Sequence, residues 1–84
     1  MKNIPDQLDL HGLTVDEAMT LVDTFLYQSY KAGLHRIWVI HGRGTGVLRR
    51  EIRRYLTKHT LVRRCSTADG KRGGIGATQV ELVD

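Results

Sequence analysis

The sequence lacks the residues that several classes of protein require. Cys65 is its one cysteine, which excludes an internal disulfide and any zinc site that needs two or more thiolates. The longest uninterrupted apolar run, residues 37–40, is far shorter than a membrane span. The first residues lack the basic start, apolar stretch and small-residue cleavage site of a secretory signal peptide. We therefore expect a cytoplasmic protein that has no membrane partner.

Acidic residues are scarce in the second half of the chain. The 84 residues carry 13 Lys and Arg against nine Asp and Glu, a net charge of +4. Residues 1–42 hold three basic and five acidic side chains, whereas residues 43–84 hold ten basic and four acidic ones. This asymmetry favours a polyanionic partner such as DNA or RNA.

The pattern of apolar residues predicts one small α/β domain. A length of 84 residues is too short for an ATPase or a dinucleotide-binding cassette, so we expect a lead-in over residues 1–6 and one domain over residues 7–84. Period-two alternation and an unbroken apolar run predict strands, whereas a T-x-x-E capping box and helical spacing predict helices. The predicted strands cover residues 7–11, 36–41, 61–68 and 75–83, and the predicted helices begin after Thr14 and near Val47. The fold class that follows is a two-layer α/β sandwich of order β-α-β-α-β-β, with two helices on a mixed sheet.

The order of these elements places polar side chains at one edge of the sheet. Two successive strand–helix units make the first two strands parallel, and open sheets bind ligands at the carboxyl ends of such strands. Asp9 and His11 stand at the end of the first strand, and His41 stands at the end of the second. We therefore predict that one carboxylate and two imidazoles converge there as catalytic groups. An alternative role for His41 is structural, as a hydrogen-bond partner of the glycine turn that follows it.

A glycine-rich loop, residues 41–46, precedes the second helix. Its glycines allow left-handed backbone and close approach of a ligand, and the helix amino terminus behind them carries partial positive charge. The loop lacks the GK[ST] of a Walker motif and the spacing of G-x-G-x-x-G, so we expect no nucleotide cofactor. We predict instead a site for the phosphates of a nucleic acid. Its predicted contacts are Gly42, Arg43, Gly44, Thr45, Gly46, Arg49, Arg50 and Arg53, with Lys71 and Arg72 from the last loop.

Two parts of this set have alternative interpretations. The arginines of the second helix, with only Glu51 nearby to pair, either contact nucleic acid or form a solvated face. Lys71 and Arg72 either clamp a phosphate or keep a hairpin soluble, and the sequence does not distinguish the two. Trp38 falls in a core pattern and is interpreted as a packing residue, and we expect His59 to have a solvated or helix-terminal role.

Three segments resemble the motifs of the Smr (small MutS-related) domain: residues 8–12 (LDLHG), residues 41–49 (HGRGTGVLR) and residues 73–78 (GGIGAT). The resemblance implies an α/β sandwich like the carboxyl-terminal domain of translation initiation factor three, with nicking or cleavage of DNA or RNA. It places the family's catalytic D-x-H on Asp9 and His11, and its H-G-x-G loop on residues 41–44. Family members act on branched DNA or on messenger RNA at collided ribosomes, either alone or linked to a MutS-like ATPase domain. Linked members often carry Arg at the position of His11.

The residues and the resemblance together lead us to expect an endonuclease that nicks structured DNA, cleaves RNA, or does both. On RNA the 2′-hydroxyl is an internal nucleophile, so we expect no metal and no cofactor to be required. Water attack on DNA calls for a cation such as Mg²⁺ or Mn²⁺. One alternative is a non-catalytic module that binds DNA, RNA or a ribosome for a larger protein. Another is an adaptor that binds a protein through the mainly apolar first helix.

Overall fold

The elements of the fold follow the predicted order β-α-β-α-β-β. The computed structural model describes residues 4–84, so residues 1–3 of the predicted lead-in lie outside the described part of the chain. The strands are β1 (Gln7–Asp9), β2 (Arg36–Ile40), β3 (Val62–Thr67) and β4 (Ala77–Leu82), and the helices are α1 (Val15–Lys31) and α2 (Val47–Lys58). Two 3₁₀ turns, Gly70–Arg72 and Gly74–Gly76, connect β3 to β4. The predicted fold class is confirmed.

The sheet has the strand order β1-β2-β4-β3, with β2 and β4 at its centre. β1 pairs with β2 in parallel, as the crossover through α1 predicts. β4 pairs antiparallel with both β2 and β3, which agrees with the short connection from β3. The central position explains the apolar run of β2, because Ile37, Trp38 and Val39 are all buried.

Local sequence signals explain where the helices begin and end. The side chain of Thr14 accepts a hydrogen bond from the backbone N of Glu17, whose carboxylate accepts one from the backbone N of Thr14. Beyond the end of α1, Gly33 adopts a φ of +80° and turns the chain. Each helix buries one stripe: Ala18, Val22, Phe25, Leu26 and Ser29 in α1, and Ile52 and Leu56 in α2. Within residues 4–84, neither helix is long and apolar enough to cross a lipid bilayer.

The two faces of the sheet differ in what covers them. Side chains alternate along a strand, so Val39 points towards α1 and α2 and belongs to the main core. Trp38 and Ile40 point to the opposite face, where they form a separate, smaller cluster. The register pairs Asp9 with Ile40, so Asp9 lies on this second face as well. We call it the open face, because neither α1 nor α2 covers it.

Strand boundaries differ from the predicted ones at the glycine-rich turns. β4 begins at Ala77 and not at Ile75, because Gly73 and Gly74, with φ values of +108° and +55°, turn the chain just before it. Ile75 is consequently exposed. β1 ends at Asp9, two residues earlier than predicted, and β3 is one residue shorter at each end.

Candidate functional site

Three connections meet at one edge of the sheet, which we call the rim: those that follow β1 and β2, and the one between β3 and β4. The backbone N of Leu10 donates to the O of Ile40 (2.7 Å), and the backbone N of Gly42 donates to the O of Gly76 (2.9 Å). A Cβ atom placed on Gly42 would lie 3.3 Å from the Cβ of His11. The segment after β1 therefore touches the glycine-rich loop after β2, as the parallel pairing predicts.

Asp9 and His11 form an exposed pair at the rim. Oδ1 of Asp9 lies 2.6 Å from Nδ1 of His11 and accepts a hydrogen bond from the backbone N of His11 (3.1 Å). The side chains are 54% and 72% exposed, respectively. The hydrogen bond to Asp9 raises the pKa of His11 above its ordinary 6.5, and the same contact lowers the pKa of Asp9. Because Asp9 occupies Nδ1, the imidazole keeps Nε2 for proton exchange.

His41 is buried behind the glycine-rich loop, with 4% of its surface exposed. Its Nδ1 lies 2.9 Å from the carbonyl O of Gly42, and its Nε2 lies 2.9 Å from Oγ1 of Thr78. Because a carbonyl only accepts, Nδ1 carries the proton and Nε2 accepts from the Thr78 hydroxyl. Burial is the main cause that lowers the pKa of His41 below 6.5. The structure thus does not bring this ring to the surface that Asp9 and His11 share, and its contacts match the structural alternative.

The amino terminus of α2 forms a positively charged depression. Gly46 caps the helix with a φ of +86° and has no side chain to accept a hydrogen bond, and the first turn contains no acidic residue. Oγ1 of Thr45 accepts one long hydrogen bond (3.4 Å) from the backbone N of Val47. The partial positive charge of the helix end is therefore not balanced by its own side chains. The depression has a volume of about 480 Å³ and is lined by Thr45, Gly46, Arg49, Arg50 and Arg53. Arg43 and Gly44 lie exposed in the loop that leads into it, so most of the predicted phosphate contacts lie on one positively charged surface.

Comparison with known proteins identifies the family. The sequence pattern of the Smr domain matches residues 8–83, nearly the whole chain. The chain belongs to the Smr domain family. It is 44% identical over 82 residues to an endonuclease MutS2 of Pelotomaculum thermopropionicum, a match that covers 98% of this chain and 10% of that protein. This Smr domain therefore spans about a tenth of the length of the curated relatives it matches.

Solved structures agree with this assignment. The Smr domain of Thermus thermophilus MutS2 superimposes with a TM-score of 0.91 at 39% sequence identity, covering 94% of this chain and 99% of that one. YdaL, a stand-alone small MutS-related protein from Escherichia coli, superimposes with a TM-score of 0.89 at 30% identity. That match covers 94% of this chain and 65% of YdaL. The fold of this Smr domain thus resembles both a domain of MutS2 and a stand-alone protein.

The arginines of α2 in this Smr domain are partly neutralised by one carboxylate. Glu51 pairs with Arg50 (3.2 Å) and with Arg54 (3.8 Å). Arg53 donates to a threonine hydroxyl of β3 (3.2 Å). In the part of the chain that the structure describes, Arg49 has no acidic partner within salt-bridge distance. Arg49 is therefore the cation of the depression that is most available to an anionic ligand.

The connection between β3 and β4 separates the roles of Lys71 and Arg72. Lys71 is exposed and, among residues 4–84, pairs with no carboxylate. Arg72 instead folds back over the open face, where its guanidinium carbon lies 3.8 Å from the ring centroid of Trp38. Nη2 of Arg72 lies 3.6 Å from Oδ2 of Asp6. Lys71 thus points its charge to solvent, whereas Arg72 is engaged in packing.

Sequence reasoning missed Thr78, the buried residue that holds His41. Thr78 belongs to the third motif, and alternation with Val80 along β4 places it on the face that the helices cover. A polar residue at a position where the alternation requires burial needs a hydrogen-bond partner. The sequence therefore indicates that Thr78 has a hydrogen-bond partner, but it does not identify His41 as that partner.

The described residues contain no cluster of side chains that is arranged to bind a metal ion. Among residues 4–84, no three His, Cys, Asp or Glu side chains are arranged to hold a metal ion. Asp9, His11 and His41 do not form such a cluster, because His41 is buried and both of its ring nitrogens have hydrogen-bond partners.

A second depression, of about 500 Å³, lies between α1 and the carboxyl end of α2, around Met19 and Tyr55. None of the predicted site residues lines it. His59 lies at its edge as the residue that ends α2, and its Nε2 contacts Oδ1 of Asp23 (3.2 Å). Of the two roles expected for His59, the helix-terminal one agrees with its position as the C-cap of α2, and the solvated one is wrong because its side chain is 9% exposed.

Proposed function

We propose that this Smr domain is a nucleic-acid endonuclease in which His11 transfers the proton. The observation that supports the proposal is the exposed contact of 2.6 Å between Asp9 and His11 on the same rim as the positive end of α2. A carboxylate on Nδ1 orients an imidazole and stabilises its protonated form, which makes the histidine an effective acid–base group. The MutS2 relatives are named endonucleases, and this chain matches a tenth of their length.

RNA is the substrate class that this pair can serve without further groups. Nε2 of His11 takes the proton of the 2′-hydroxyl, the 2′ oxygen forms a bond to phosphorus, and the bond from phosphorus to the 5′ oxygen breaks. The departing oxygen takes a proton from solvent, and the imidazolium later returns its proton to solvent. The products are a 2′,3′-cyclic phosphate and a 5′-hydroxyl. Asp9 stabilises the imidazolium, and Arg49 with the first amides of α2 balances the charge on the phosphate.

DNA lacks the 2′-hydroxyl, so its cleavage needs a water molecule as the nucleophile. A divalent cation such as Mg²⁺ or Mn²⁺ activates that water most readily. Two carboxylates lie in the connections that form the rim, and Oδ1 of Asp69 already accepts hydrogen bonds from the backbone N of Lys71 and of Arg72. Asp9 alone is fewer carboxylates than two-metal catalysis uses. We therefore place metal-independent RNA cleavage first and metal-dependent nicking of structured DNA second.

End-labelled RNA and DNA strands of the same sequence test the substrate class. The strands, and a branched DNA, are incubated with the purified domain in EDTA and in Mg²⁺ or Mn²⁺. We expect RNA to be cut in EDTA with cyclic phosphate ends, and DNA to be nicked only with the cation. RNA products with a 3′-hydroxyl and a 5′-phosphate would contradict the 2′-hydroxyl as nucleophile.

Substitutions separate cleavage from binding. Asp9→Ala and His11→Ala are expected to slow cleavage strongly, by about 10²–10⁴-fold for His11→Ala, and to leave RNA affinity nearly unchanged, because the depression at α2 stays intact. His35→Ala is the matched control, since His35 is 79% exposed and lies just before β2, at the end of the sheet opposite to the rim. Cleavage at the wild-type rate in both rim variants would remove the pair from the mechanism.

A binding module without catalysis is the second candidate, because the charged depression at α2 does not depend on the Asp9–His11 pair. Such a domain delivers a larger protein, for example one with a linked ATPase domain, to DNA, RNA or a ribosome. Its signature is binding that weakens steeply with salt while every nucleic-acid backbone stays intact. Arg49→Ala is expected to reduce this salt dependence, whereas Lys31→Ala, at the carboxyl end of α1, serves as the control for charge.

A further inference from the structure

An arginine–tryptophan stack covers part of the open face. The guanidinium carbon of Arg72 lies 3.8 Å from the ring centroid of Trp38, which is both van der Waals contact and a cation–π distance. Arg72 also pairs with Asp6, whose backbone O accepts a hydrogen bond from the backbone N of Trp38 (2.8 Å). Trp38 itself is buried, so its ring is a rigid support. Arg72 is thus held in place by two contacts at once.

The stack lies near the Asp9–His11 pair on the same side of the sheet. Asp9 is the register partner of Ile40, and Trp38 precedes Ile40 by two residues, about 7 Å along the strand. Side chains two residues apart point to the same face, so Asp9 and Trp38 both lie on the open face. A nucleotide whose phosphate is bound at the pair therefore has a base within reach of Arg72.

The available surface of Arg72 suits a flat ring better than a phosphate. Trp38 covers one face of the guanidinium, and Asp6 takes part of the N–H edge that a phosphate would use. A further 38% of the side chain remains exposed. Guanidinium planes are common stacking surfaces for unpaired bases, and the aromatic support below makes this plane rigid.

We infer that Arg72 is a stacking seat for one unpaired nucleobase beside the phosphate that is cut, with Trp38 as its support. The inference rests on the proposed endonuclease function and names its substrate class, which is a single-stranded segment of nucleic acid. A base inside a duplex is stacked and paired, and it reaches such a seat only after unpairing. The domain is therefore expected to bind and cut unpaired segments in preference to perfect duplex.

Removal of single bases from the substrate tests the stacking seat. The probes are fluorescein-labelled single-stranded RNAs of one sequence, each with one abasic residue at a different position. They are titrated with the His11→Ala variant, so that binding is measured without cleavage. We expect one abasic position to weaken binding about tenfold, the usual contribution of one stacked base. In the His11→Ala/Arg72→Ala variant that position is expected to behave like all the others.

Two substitutions separate stacking from charge. Arg72→Lys keeps the positive charge and loses the planar group. As in Arg72→Ala, the decisive abasic position is therefore expected to bind no more weakly than the other abasic positions. Lys71→Ala removes one charge from the same loop, and it is expected to weaken binding of all probes alike while the decisive abasic position keeps its effect. Trp38 is the only tryptophan, so its fluorescence reports both that each variant keeps a folded core and that a base has arrived.

The two proposals fail in different ways. If wild-type protein neither binds nor cuts RNA, the endonuclease proposal fails and the stacking seat fails with it. If wild-type protein cuts RNA but all abasic positions bind equally, the stacking seat is refuted and the endonuclease proposal stands. The stacking seat is likewise refuted if the penalty of the decisive position persists in Arg72→Ala, or if perfect duplex is cut as fast as the single strand.

Discussion

His11 and His41 follow two neighbouring parallel strands, yet their environments are opposite. The side chain of His11 is 72% exposed, and Asp9 raises its pKa. His41 is 4% exposed, and burial lowers its pKa. The protonated form of the imidazole is thus favoured at one strand end and the neutral form at the other.

The difference follows from the face of the sheet that each side chain takes. His41 continues the alternation of Val39 and so points towards the helices, where Thr78 binds it. Asp9 alternates with two core leucines and points to the open face, and His11 follows after the strand has ended. Topology brings strand ends together, but alternation decides which of their side chains reach water.

The comparison is tested most directly by removing His11, where we expect the largest effect. His11→Ala should lower the rate of RNA cleavage about 10²–10⁴-fold, the usual contribution of a positioned proton-transfer group. The exposed side chain contributes little to folding, so the midpoint of urea unfolding should stay close to its wild-type value. Single-turnover cleavage and urea titration of the same preparation measure both. A large shift of the midpoint would instead show that His11 is structural.

Removal of His41 should have the reverse pattern. His41→Ala is expected to lower the free energy of unfolding by about 2–4 kcal/mol, because it removes two hydrogen bonds, leaves a cavity and strands the hydroxyl of Thr78. Thr78→Val should lower the free energy of unfolding less in the His41→Ala background than in the wild type, because His41, the partner of the Thr78 hydroxyl, is already absent. Cleavage is compared at a temperature where the variant is folded. A folded His41→Ala protein as inactive as His11→Ala would place His41 in the chemistry.

Ser29 sharpens the contrast between buried polar groups with and without partners. It is fully buried in α1, and among the described residues its Oγ has no hydrogen-bond partner. Ser29→Ala should raise the free energy of unfolding by about 1 kcal/mol, because it removes an unsatisfied hydroxyl and introduces a better helix former. Urea unfolding measures the change, and a destabilised variant would contradict this interpretation of the hydroxyl.

The two histidines should also contribute to stability in opposite pH ranges. The pKa of His41 is lowered below 6.5 on folding, so its contribution is complete above pH 6.5 and is lost as the pH falls towards the lowered value. The pKa of His11 is raised, so its contribution is complete below pH 6.5 and is lost as the pH rises through the raised value. Urea unfolding across this range measures the effect. Compared with the wild type, His41→Gln should lose less free energy of unfolding as the pH falls, and His11→Ala should lose less as the pH rises. Identical profiles for the two variants would contradict the assignment.

The smallest expected effect is a shift in the pH dependence of cleavage. Asp9→Asn removes the charge that favours the imidazolium, so the pKa of His11 should fall towards 6.5. The limb of the pH–rate profile that belongs to His11 should therefore move to lower pH. NMR titration of the imidazole follows the same change without substrate. An unmoved profile in a folded variant would separate Asp9 from the protonation of His11.

Elements with strong local signals were predictable from the sequence. The capping box at Thr14 marked the start of α1, and the glycine at position 33 marked its end. The apolar run of β2 indicated a central strand. The start of β4 was predicted too early, at Ile75. Ile75 is apolar and β-branched, as strand residues often are, and this local preference does not reveal the left-handed turn at Gly73 and Gly74.

The sequence indicated which residues lie near the candidate site, but it did not indicate which of their side chains are exposed. Asp9, His11 and the glycine-rich loop meet at the rim as the strand order predicts. The sequence left Arg72 as a phosphate clamp or a solubilising residue, and neither alternative anticipated its contact with Trp38. That contact joins a loop to a strand far away in sequence, and local patterns carry no information about such pairs.

The sequence by itself determined the order of the elements, the parallel pairing of the first two strands and hence the rim. These follow from periodicity, capping and the handedness of crossovers, which act between residues close in the chain. Only the tertiary structure decided that His41 is buried against Thr78 and that Arg72 rests on Trp38. Both depend on contacts between distant residues, and burial and exposure then set which groups hold a proton and which can touch a substrate.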